Sequence, residues 1–157
     1  MSATRHSRPP VRVLLGGGIG CGKSLAGRRF AELGAVVIDS DKVGHAVIAE
    51  GGEAYASVSR RWPDVVTAAG IDRSRLGHVV FGSSTQLREL EAMTHPAIIR
   101  RIVAIAEDVR DLVVEVPLIL EFPGDWTTAY VDASPELCLE RAVGRGLDDE
   151  SVRKRMS

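Results

Sequence analysis

Residues Val11 to Glu32, VRVLLGGGIGCGKSLAGRRFAE, constrain the fold more than any other stretch of the chain. A short apolar run, Val11 to Leu15, breaks into glycines and then opens into a helical pattern. Within it Gly17-Gly18-Ile19-Gly20-Cys21-Gly22-Lys23-Ser24 has the spacing G-x-x-x-x-G-K-[ST], flanked by strand and helix as that motif requires. Glycines let successive backbone N–H groups converge on anionic oxygens with no Cβ in the way. The helix opening near Lys23 turns its positive dipole end toward the same point. Lys23 would reach the β/γ-phosphates, and the Ser24 hydroxyl would ligate Mg²⁺. The competing reading is a glycine-rich turn that binds nothing. Lysine is scarce, however: Lys23, Lys42 and Lys154 are the only ones, so composition does not generate a G-K-S at this spacing. The stretch reads as a nucleoside triphosphate site.

The next pieces set a parallel α/β architecture. Ser24 to Leu33 reads as helix, with Leu25, Phe30 and Leu33 on one face and Gly34 as a stop. Ala35 to Ile38 is a short β-branched strand ending in Asp39-Ser40-Asp41, and a helix follows through Val43, Val47 and Ile48. Strand–helix–strand with a short return implies parallel strands and a right-handed crossover. Ligands in such sheets sit beyond the carboxyl ends of the strands, so Asp39 and Asp41 are expected on the crevice that holds the glycine loop. Phosphoryl transfer to an alcohol needs a carboxylate beside the acceptor hydroxyl. Asp41 is the candidate base; Asp39 is assigned to the metal side or to capping the next helix.

From Glu53 to Arg110 the pattern is helical and irregular, with breaks at Trp62-Pro63 and at Ala69 to Asp72. Asp72 to Phe81 and Ser84 to Met93 carry helix-spaced apolar residues, Ser84 being a plausible N-cap. His95-Pro96 interrupts the run, which resumes over Ile98 to Val109. Such a block between strands suits an acceptor-binding subdomain, with His95 as either a substrate contact or a packing residue. Leu112 to Val116 is a third strand, bearing Glu115 toward a metal or toward water. Leu118 to Phe122 reads as a helical turn, Thr128 to Val131 as a fourth strand, and Ser134-Pro135 opens a helix with Arg141 and Arg145. Arg153 and Arg155 follow. Arginines after the fourth strand suggest a lid over phosphates, with Arg141 and Arg145 as candidates; exposed arginines on an amphipathic helix are the competing reading, and the pattern alone singles out none of them.

Bulk properties narrow the classes. The chain has 157 residues, 45% hydrophobic and 26% charged, with a net charge of −1. That is enough for one domain with a real core and an ordinary soluble profile. Near-zero charge gives no electrostatic case for nucleic acid or an anionic membrane as partner. No apolar run is long enough to span a bilayer, and residues 1–10 read as a disordered leader without a signal-peptide core. Cys21 and Cys138 lie in unrelated segments without metal or redox spacing, which suits a reducing cytosol. Cys21 is expected to be a small residue tolerated in the loop. The absence of an N-K-x-D motif after the third strand disfavours a GTPase switch.

Taken together, the chain resembles the dephospho-coenzyme A kinase family. The resemblance rests on LLGGGIGCGKS at Leu14 to Ser24, LGAVVIDSD at Leu33 to Asp41 and GIDR at Gly70 to Arg73. It continues in His95-Pro96, VPLILE at Val116 to Glu121 and VDASPELCLER at Val131 to Arg141. It implies a three-layer parallel-sheet P-loop NTPase fold, similar to nucleoside monophosphate kinases, with a helical substrate subdomain over about 42–110 and a lid over about 141–157. It implies transfer of the ATP γ-phosphate to the 3′-hydroxyl of dephospho-coenzyme A. Gly17 to Ser24 would hold ATP, Lys23 would clamp the γ-phosphate, Asp41 would be the base, and Arg145 would be the lid arginine. Departures from the family are Gly16 for threonine, Cys21 for Ser or Ala, and Gly146 for an acid. The family also continues past the lid into a last strand, so a non-catalytic nucleotide-binding remnant is the alternative expectation.

Overall fold

The structure is a computed structural model that describes residues 8–117 and 120–156. It divides into two compact units, one built from the chain through residue 38, 106–119 and 123 onward, the other from 39–105 and 120–122.

The first unit carries the sheet. Strand β1 (Val11–Gly17) runs parallel to β5 (Asp111–Glu115) on one side and to β6 (Thr127–Val131) on the other; with β2 (Val36–Asp39) at the edge, the order across the sheet is β2-β5-β1-β6. Val13 to Gly16 are buried without alternation, as a central parallel strand covered on both faces demands. Val13, Leu15 and Val113 form the core, with Ala26 and Phe30 of helix α1 (Lys23–Glu32) and Val37 of β2 (Val36–Asp39) packed against it. Gly27 lets α1 approach β5, because a Cβ there would strike the Glu115 carboxylate. Helix α6 (Pro135–Val143) is capped by Ser134, whose hydroxyl accepts from the Leu137 amide, and α7 (Asp149–Met156) follows. Of the expected leader, residues 1–7 lie outside the described residues. Arg8 is held by Asp111, at 2.5 Å.

The second unit is helical. Helix α2 (Ser40–Ile48) begins at once after β2, and α3 (Tyr55–Arg61), a 3-10 turn at Pro63–Val65 and a small hairpin, β3 (Val66–Thr67) with β4 (Gly70–Ile71), come next. Helix α4 (Arg73–Phe81) has Asp72 as its cap, accepting from the Ser74 and Arg75 amides. Val47, Val58, Trp62, Leu76, Val80 and Ile102 are buried. Ion pairs Arg61–Glu89 and Arg101–Glu53, at 2.7 and 2.6 Å, tie α5 (Ser84–Asp108) to its neighbours.

Three expectations are corrected here. The break at His95-Pro96 does not occur: α5 runs unbroken from Ser84 to Asp108 with Pro96 inside it. Proline removes one N–H and crowds the preceding turn, but Ala97, Ile98 and Ile102 immediately after it are buried, and that burial carries the helix through. Ser83, not Ser84, occupies the cap, its hydroxyl accepting from the Gln86 amide. Of the helical turn expected at 118–122, residues 118 and 119 lie outside the described residues, and 120–122 are not helical.

Candidate active site

The glycine loop connects β1 to α1, and its geometry follows from its residues. Gly20 and Gly22 adopt φ of +76° and +101°, a region where a side chain is strained. Gly22 is the N-cap of α1, and no side chain caps this helix end, which leaves its first amides suited to an anion. Gly20 also packs directly on the Cys138 carbonyl of α6, where a Cβ would collide with backbone. The Cys21 amide donates to the Gly18 carbonyl at 3.3 Å, closing the loop on itself.

Gly18, Ile19, Gly20, Gly22, Lys23 and Ser24 line one cavity of about 320 Å³, closed on its other side by Arg145 and Leu147. Lys23 Nζ rests on the Gly17 carbonyl, 3.4 Å away, at the foot of the loop. Arg145 lies just past α6, its Nε donating to the Arg141 carbonyl at 3.1 Å. Arg141 also flanks the loop: one guanidinium nitrogen is 3.6 Å from where a Gly22 Cβ would be. Two cations and a run of amides thus surround a space of the size and polarity a polyphosphate needs. A roomier hollow of about 560 Å³ between α6 and α7 is mostly apolar, and there Arg153 pairs with Asp149 at 2.5 Å. It offers no anion cradle, so chemistry selects the smaller cavity.

The other expected residues belong to the helical unit. Asp39 caps α2, its Oδ1 accepting from the Asp41 amide at 3.0 Å. Asp41 stands exposed in the first turn of α2, its carboxylate open to solvent. His95 is half-buried on α5. This unit has its own cavity of about 520 Å³, lined by Lys42 and His45 of α2, Glu50 just past it and Arg73 of α4. Sequence reasoning missed this grouping, because its members lie between positions 42 and 73 with no local pattern to join them. It missed Leu147 too, an isolated leucine among glycine and aspartates with no periodicity to mark it.

The cysteines depart most from expectation. Cys21 and Cys138, 117 positions apart, are joined by a disulfide with Cα atoms 4.8 Å apart. Nothing in their spacing announces it; β1 and β6 pair side by side, and α6 follows β6 back across the loop.

Comparison with known proteins decides the lineage. The family model described as Dephospho-CoA kinase matches residues 11–157. The chain belongs to the dephospho-CoA kinase family. A dephospho-CoA kinase from Aquifex aeolicus is 34% identical over 152 residues, covering 92% of this chain and 78% of that one. One from Chromobacterium violaceum is 40% identical over 154 residues, covering 91% and 74%. Among solved structures, a crystallised protein from Thermus thermophilus superposes with a TM-score of 0.80 at 27% identity, covering 95% of this chain and 80% of that one. Dephospho-CoA kinase from Campylobacter jejuni gives 0.58 at 26% identity, with coverage of 92% and 77%. These matches bear out the P-loop-type parallel α/β fold.

Proposed function

We propose that the chain is an ATP-dependent kinase that phosphorylates the 3′-hydroxyl of dephospho-coenzyme A, yielding coenzyme A and ADP. The observation that carries this reading is the single cavity shared by the glycine loop, Lys23, Ser24 and Arg145 in a member of this family. The loop amides from Gly17 to Ser24 hold the β- and γ-phosphates, and Lys23 neutralises the oxygens between them. Asp41 orients the acceptor hydroxyl and takes its proton as the new O–P bond forms and the bond from the γ-phosphorus to ADP breaks. Arg145 stabilises charge building on the transferred group. His95 and Arg141 act on the acceptor side. Lys42 and Arg73, which line one cavity with His45 and Glu50, are cations suited to the acceptor's own diphosphate.

Mg²⁺ keeps most of its water and asks few ligands of the protein. Ser24 lines the phosphate cavity, and Asp39 accepts the Asp41 amide on Oδ1 at the start of α2. Ser24 would hold the ion, which when bound would lower the effective charge on the phosphate oxygens. Cytoplasmic residence accords with this chemistry; among the described residues no helix is long and apolar enough to cross a membrane.

A coupled ADP-release assay with and without dephospho-coenzyme A tests the proposal. Release should require the acceptor, disappear in Asp41→Ala with ATP binding retained, and disappear in Lys23→Ala. Full activity in Lys23→Ala would overturn the phosphate-site assignment. ATP binding without acceptor-dependent release would favour a non-catalytic nucleotide binder.

A further inference from the structure

We propose that the Cys21–Cys138 pair is a redox latch on the phosphate cradle, its disulfide state tightening nucleotide binding and slowing turnover. The inference rests on reading the loop cavity as the ATP site.

Geometry is the first support. The Cα atoms are 4.8 Å apart, within the span a disulfide bridges without moving backbone. Cys21 occupies the apex of the loop, one residue before the N-cap of α1, yet it is absent from the residues lining the cavity. Its sulfur therefore lies behind the cradle, toward α6, and the bond closes without filling the nucleotide's space. Cys138 sits in the first turn of α6, its amide donating to the Ser134 carbonyl at 2.9 Å. The same helix carries Arg141 beside Gly22 and leads into Arg145 at the cavity mouth. One covalent bond thus ties the anion-binding amides to the arginine-bearing segment.

The chemistry balances with a peroxide as oxidant. The thiol of Cys21, the less buried residue at 9% exposure against 1% for Cys138, loses its proton and attacks hydrogen peroxide; the O–O bond breaks, Cys21 becomes a sulfenic acid and the proton leaves with the second oxygen as water. The Cys138 sulfur then attacks the Cys21 sulfur, the S–S bond forms, and a second water leaves with the proton Cys138 gives up. The pair has lost two electrons. A dithiol returns them through a mixed disulfide. In a reducing compartment a pair of this kind is transient and responsive rather than a permanent staple.

The consequence follows from ordering. A cradle fixed before the nucleotide arrives loses less freedom on binding, so the oxidised form should hold ATP and ADP more tightly. Slower ADP departure then lowers kcat along with the KM for ATP. The expected effect is on the order of fivefold, the lower end of ordinary coupling between sites.

The experiment compares the full chain after hydrogen peroxide with the same chain after dithiothreitol. Peptide mapping should recover a Cys21–Cys138 cross-link only after peroxide, and titration calorimetry should give a lower ATP Kd for that form. In Cys138→Ser the two treatments should give one Kd and one kcat, equal to those of the reduced parent. If that variant does not fold, Cys138→Ala and the parent's own reversal by dithiothreitol carry the same comparison. Two free thiols after peroxide, or a cross-linked form with unchanged Kd and kcat, would overturn the latch while leaving the kinase reading intact. No ATP binding in either state would remove the phosphate-site reading and the latch with it.

Discussion

Two glycines with the same backbone strain but different surroundings allow the loop geometry to be tested by subtraction. Gly20 and Gly34 both have positive φ, +76° and +94°. A Cβ on Gly34 would meet no atom within 4 Å, whereas one on Gly20 would run into the Cys138 carbonyl. Gly34→Ala should therefore cost only the left-handed conformation, about 1 kcal/mol. For a chain of this size that lowers Tm by roughly 2–4 °C. Gly20→Ala carries the same conformational cost plus the overpacking of a fixed carbonyl, typically about 1–3 kcal/mol, for a total of about 2–4 kcal/mol. The loop can escape the clash only by lifting off α6, which spoils the convergence of its amides. Urea unfolding of both variants, with ATP titration calorimetry on each, reads the two effects separately. Gly34→Ala should keep the parent's ATP Kd and Gly20→Ala should lose at least tenfold in affinity, about 1.4 kcal/mol. Equal destabilisation by the two substitutions, or undiminished ATP binding in Gly20→Ala, would refute the packing argument.

Two further outcomes follow. Arg145→Ala should lower kcat by about a hundredfold with a smaller change in the KM for ATP, as expected for a donor aimed at charge that develops during transfer; steady-state kinetics with ATP varied would show it. In the helical unit Arg101 hydrogen-bonds Glu53 and holds its carboxyl below the ordinary value of 4.5, so the pair stabilises the fold above that pH and the contribution fades as pH falls through the lowered value. Glu53→Gln should thus be less stable than the parent at pH 7, with the difference closing below pH 4.5 in denaturation curves taken across that range.

The sequence made some features readable and hid others for physical reasons. The loop was legible because G-K-S and its glycines act locally: backbone freedom and a helix start need no distant partner. Strand β1 was legible in place but short in extent, since β pairing continues into Gly16 and Gly17, whose composition argues for a turn. Helix α5 was misread at Pro96, because a local rule about proline gave no account of the burial that follows at Ala97, Ile98 and Ile102. Hairpin β3–β4 spans only two residues a side and leaves no period to detect. At the site, Lys23, Ser24 and Arg145 were found from motif and resemblance, and they share one cavity. Leu147, the Lys42–His45–Arg73 grouping and the Cys21–Cys138 bond were not found, because each depends on contacts between segments that the linear order keeps apart.

The most direct test is the chemical identity of the product. Dephospho-coenzyme A incubated with ATP, Mg²⁺ and the full chain should be converted to a species heavier by one phosphoryl group, with phosphorus NMR placing that group on the ribose 3′-oxygen. Recovery of unmodified acceptor while ATP is demonstrably bound, or a phosphoryl group on any other oxygen, would contradict the account.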